Sequence, residues 1–90
     1  MELRDTIELM ISSDYKARFR AEYHQTKIRY EKLKKFNTRI EAAYETQHMK
    51  NAMEIPKHDC PENILYEQQS AMERYLYILE VRAEIEGIEL

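Results

Sequence analysis

Arg20, Lys27 and Lys34 recur at seven-residue intervals, and Tyr23 and Tyr30 recur at the same interval beside them. Seven residues are close to two turns of helix, so the cations form one stripe and the rings another alongside it. Positive charge next to an aromatic face suits a nucleotide: the cations take phosphate and a ring stacks on the base. The same stripe also suits ion pairs with an acidic helix of this chain or of a second copy, as flanking charges do in coiled coils. Both readings stand on the residues alone.

Other chemistry is weakly supported. His48, His58, Asp59 and Cys60 include good zinc ligands, but a closed zinc site takes four in familiar spacing and the chain has one Cys. Glu41, Glu45 and His48 share a helical face, which is the ordinary solvated side of a charged helix. A Cys60 nucleophile with His58 as its base is better read as a helix cap ahead of Pro61. Loops that cradle phosphate are rich in glycine, and this chain has a single Gly. The expectation is a non-catalytic protein with no metal and no cofactor.

What must position the stripe is helix. Ninety residues with one Gly and two Pro are too poor in turn formers for a sandwich or barrel. The pattern predicts one helical domain over residues 1–90: a short helix over 2–11, a long helix over 14–48, a connection over 49–60 and a second long helix over 61–87. Leu3, Ile7, Met10 and Ile11 give the first its apolar face. Ser12 or Ser13 is the expected cap of the next helix, with Asp14 in its first turn. With Tyr30 at heptad position a, Tyr23, Asn37 and Tyr44 share that position, and Phe19, Thr26, Leu33 and Ile40 fill d. The seam is coiled-coil-like, and Asn37 fixes register. Pro56 breaks the pattern. Cys60 is the expected cap and Pro61 the first residue of the last helix, which Gly87 ends.

Charge is divided along the chain. Residues 16–39 hold nine basic groups against two acidic ones, net +7, whereas the remainder holds five basic and fifteen acidic groups, net −10. An acidic protein with one narrow basic stripe is not expected to bind duplex DNA. The N-terminus lacks a basic segment leading into an apolar run, and no apolar stretch is long enough to span a membrane. One unpaired Cys fits a reducing compartment, so a cytoplasmic location is expected.

The last helix is apolar on two sides. Leu65, Gln68, Met72, Tyr75, Leu76, Leu79 and Ala83 form the face expected to pack on the long helix before it. Ala71, Ile78, Val81, Ile85 and Ile88 fall opposite. Leaving each branched residue of that second face in water forfeits about 1.5–3 kcal/mol. The expected fold is therefore all-α, a long helical hairpin with a short N-terminal helix, assembled into an oligomeric helical bundle. The alternatives are a host protein docked on that face, or a compact monomer whose first helix folds over it.

Cys60-Pro61, Gln68, Ala71-Met72, Tyr75-Leu76, Leu79-Glu80 and the run from Arg82 to Ile88 resemble a family of small uncharacterised helical proteins of tailed phages and prophages, crAss-like phages among them. The segment from Asp14 to Leu33 is similar to the first long helix of such proteins, and the two segments cover about half the chain. Residues 37–58 fall outside the likeness and make a longer connection than those relatives have. The resemblance implies a phage accessory product acting in the host bacterial cytoplasm. By analogy with the sponge proteins that phages use against cyclic-nucleotide defence signals, it implies an oligomeric binder of such a signal. A protein-directed inhibitor or adaptor, or an assembly component, is the other class it allows.

Overall fold

The computed structural model describes residues 1–90. A 3-10 turn over Leu3–Thr6 runs into a one-turn helix α1 (Ile7–Met10), followed by two long helices, α2 (Tyr15–Glu45) and α3 (Glu62–Glu86), and no strand. The long helices pack as a hairpin, and the molecule measures 55 × 25 × 20 Å.

Where each helix begins and ends follows from side chains that compete for backbone groups. Asp14 caps α2 by accepting from the Lys16 amide at 3.1 Å, while Ser12 Oγ accepts from the Asp14 amide. The cap is thus Asp14, one or two residues later than Ser12 or Ser13. Both serines precede the helix, and Asp is among the strongest N-cap residues. α2 stops at Glu45 rather than 48. There the Thr46 hydroxyl donates to the Ala43 carbonyl at 3.0 Å and accepts from the Met53 amide. The Gln47 side chain donates to the Ala43 and Met53 carbonyls, so the carbonyl that would continue the helix is taken by side chains. At α3 the cap position falls on Pro61, still extended at φ −56°, ψ 141°. Cys60 lies outside the helix, its carbonyl 2.7 Å from His58 Nδ1. Gly87 takes the left-handed conformation at φ 69°, and the amides of Gly87 and Ile88 both reach the Ala83 carbonyl.

The core is a thin seam between α2 and α3. Phe19, Tyr23, Leu76, Leu79, Ala83 and Ile88 form one buried cluster against which Tyr30 packs. Ile40 and Asn37 are also buried. Asn37 sets the register, as its position in the heptad predicts: its amide donates to the Leu65 carbonyl at 3.2 Å and to Gln69 Oε1 at 2.8 Å. Gln69, not Gln68, turns toward α2. Phenols do the rest of the polar work between the helices. Tyr23 donates to Glu80 at 2.7 Å, Tyr15 to Glu86 at 2.9 Å, and Tyr75 and Tyr44 donate to Glu22 and Glu62.

The N-terminal segment packs on the back of α2 and touches α3 nowhere. Thr6, fully buried, accepts from the Gln25 amide at 2.9 Å. Ala17 and Ala21, which precede Gln25 at helical spacing on α2, are buried as well; their small side chains permit close approach. The second face of α3 therefore gains no cover from the N-terminus. Ile85 is 78% exposed, Ile78 42% and Val81 39%. Ile88 departs from the expectation for that face, because it is 6% exposed and belongs to the core. The helix ends before it, and the left-handed turn at Gly87 folds Ile88 back onto Ala83, so its helical angle no longer applies.

Candidate functional site

Along one side of the hairpin runs a groove of about 310 Å³, walled by Tyr23, Lys27, Tyr30 and Glu31 of α2 and by Glu73, Tyr77 and Glu80 of α3. The heptad spacing of Tyr23 and Tyr30 places both rings at the seam, and the residue four further on is a lysine each time. Lys27 Nζ stands 5.9 Å from the Tyr23 ring centroid and Lys34 Nζ 5.9 Å from that of Tyr30. Lys27, Tyr23 and Tyr30 meet in the groove. Lys34 sits over the ring of Tyr30 at the groove's edge. Arg20 lies two turns before Lys27, about 10 Å along the axis, and does not line the groove.

Neither lysine takes part in an ion pair. The chain has three ion pairs, Arg4–Glu2, His58–Glu62 and Arg82–Glu86, and none of them joins α2 to α3. The basic stripe thus has no direct carboxylate partner on the acidic helix of its own chain. Three carboxylates of α3, those of Glu62, Glu80 and Glu86, accept from phenols instead.

Tyr23 departs from the role of an open stacking platform. It is 6% exposed, and its hydroxyl is committed to Glu80. Burial, followed by the hydrogen bond to Glu80, pushes its phenol up to about 12. Tyr23 is therefore a wall of the groove. The most open ring of the groove is that of Tyr77, which is 65% exposed. Tyr77 and Glu80 also border an adjoining hollow of about 460 Å³, whose lining includes Ile88 and Leu90 where the chain turns back. His24, edge-on to Tyr23, has its imidazole held below the usual range by burial and by Lys27.

Sequence reasoning missed the α3 wall. Glu73, Tyr77, Glu80 and Glu84 share one helical line, a signal that was present, but which α2 residues they oppose depends on the register of the two helices. The wall brings Glu73 and Glu80 beside Lys27, so the groove offers one cation, aromatic faces and acceptors for N–H groups. Elsewhere, both ring nitrogens of His58 are engaged, Nδ1 by the Cys60 carbonyl and Nε2 by Glu62 at 3.3 Å. His48 lies beyond the end of α2, so the helical face of Glu41 and Glu45 does not extend to it. No three His, Cys, Asp or Glu side chains stand close enough together to hold a metal ion, and no helix is long and apolar enough to cross a membrane.

Fold and groove together define a small all-α hairpin protein with an open, ligand-sized cleft along its seam. The chain belongs to the Sequestin family, whose model matches residues 13–85. The match takes in α2, the connection and nearly all of α3, including residues 37–58, which the phage-protein likeness leaves out. No curated protein and no solved structure matches the chain.

Proposed function

We propose that this chain is a non-catalytic sequestering protein, a sponge for an anionic signal of the cyclic-nucleotide class, acting as a phage counter-defence product in the bacterial cytoplasm. The observation that carries it is the pair of unpaired lysines, Lys27 and Lys34, each held 5.9 Å from a tyrosine ring beside an open groove. Membership of a family called Sequestin agrees with capture rather than turnover. Lys27, Lys34 and, further along, Arg20 hold phosphate. Tyr30 and Tyr77 offer ring faces to the base, and Tyr23 forms part of the wall. Glu73 and Glu80 accept from the exocyclic and ring N–H groups of a purine, donors that phosphate lacks.

Isothermal titration calorimetry against a panel of cyclic di- and trinucleotides tests this. One member binds with micromolar affinity or tighter, Lys27→Glu abolishes the heat, and the ligand is recovered unchanged by chromatography. A panel that gives neither heat nor thermal shift refutes the reading, and a ligand recovered in altered form refutes sequestration.

The exposed apolar side of α3 favours a second reading, in which the chain docks on a host protein as an inhibitor or adaptor. Capture of one stoichiometric host protein by the native chain, lost in Ile85→Glu and kept in Lys27→Glu, would select it.

A further inference from the structure

The chain exposes 6828 Å², about 1,200 Å² more than the roughly 5,600 Å² expected of a compact protein of its 10.9 kDa mass. A standard stable interface takes about 800 Å² from each partner. The excess is thus of the size that one pairing would remove, and α3 shows where.

Ile64, Ala71, Ile78 and Ile85 recur every seven residues along α3 and all are exposed. Their line lies about 160° around the helix from Glu73 and Glu80, so it faces away from the groove. Around Ala71 the line is symmetric: an Ile stands seven residues to either side. Next to it on one flank are Glu67 and Arg74, both exposed, and neither has a hydrogen-bond or ion-pair partner within the chain.

We infer that two copies pair through α3 in antiparallel fashion about a two-fold axis at Ala71, giving a four-helix assembly with the α3 helix of each copy at its centre. Ala71 meets its own copy at the closest approach, where a small side chain lets the helices come together. Ile64 of each copy packs on Ile78 of the other. In an antiparallel two-fold pair like flanks face each other, so Glu67 comes level with Arg74 of the second copy, twice over. A parallel pair in register would leave Glu67 about 10 Å along the axis from Arg74 of its mate, and both charges would stay unpaired.

Static light scattering coupled to size-exclusion chromatography, with charge reversal, tests the pairing and its direction. The native chain has about twice its 10.9 kDa mass. Glu67→Arg and Arg74→Glu each weaken the dimer about tenfold or more, since each replaces two attractions by two repulsions. The double variant Glu67→Arg/Arg74→Glu restores it. Neither residue bonds within the chain, so these variants keep the native helical circular dichroism. Lys27→Glu leaves the dimer intact, which separates this inference from the ligand reading. A native chain that scatters as a single copy, a dimer indifferent to Ile78→Glu, a double variant no better than the single ones, or a monomer that captures a host protein through this face would each overturn it.

Discussion

Replacing Tyr23 by Phe removes one oxygen from the hairpin and leaves its volume nearly unchanged, so the loss isolates a single bond. The phenol is 6% exposed and donates at 2.7 Å to the carboxylate of Glu80. Hydrogen bonds to charged groups contribute about 1.5–3 kcal/mol. Burial, and then the bond to Glu80, raise its ionisation from the ordinary 10.0 to about 12 in the folded chain. The sign is fixed by the direction of the shift: the folded state resists ionisation, so this stability is intact below pH 10 and fades as pH rises through about 12. Urea unfolding followed by far-ultraviolet circular dichroism, at fixed protein concentration, measures it. Tyr23→Phe should cost about 2–3 kcal/mol at neutral pH, and the gap from the native chain should narrow between pH 10 and 12. Tyr15, Tyr44, Tyr66 and Tyr75 are also raised, chiefly by carboxylate hydrogen bonds or burial, so the difference between the two proteins is the informative quantity. A loss below about 0.5 kcal/mol, or a gap that does not change with alkali, would show that the bond to Glu80 does not hold the helices together.

Two further outcomes follow from the packing. Leu79→Ala empties a site that is 1% exposed at the centre of the only apolar cluster. It should cost about 3–5 kcal/mol in the same urea assay, a large share of a small domain's stability. Gly87→Ala meets no atom within 4 Å, yet it forces a side chain into a backbone at φ +69°. It should cost about 1–2 kcal/mol and release Ile88 from the core, which heteronuclear NMR of the terminal residues would detect.

The two long helices were legible because Phe19, Tyr23, Tyr30, Asn37 and Ile40 keep heptad spacing over many turns without Gly or Pro. Their ends were less so. Periodicity says nothing of Thr46 and Gln47 turning their side chains onto the Ala43 carbonyl, and it carried Ile88 past a glycine that reverses the chain. Half of the groove could be read for the same reason: Lys27 and the two tyrosines lie on one helix, where spacing is geometry. The other half, Glu73, Tyr77 and Glu80, depends on how far α3 slides along α2. That offset is fixed by Asn37 on Leu65 and by the phenol–carboxylate bonds, contacts between residues roughly 30 to 70 positions apart. No local pattern encodes them.

A body 55 Å long and only 20–25 Å across experiences more friction in water than a sphere of equal mass. On a column calibrated with globular standards even a single copy would elute ahead of its true weight. Retention time alone would therefore overstate the mass of the particle. Shape-independent weighing, by scattered light or by sedimentation equilibrium, is the measure that this slender outline calls for.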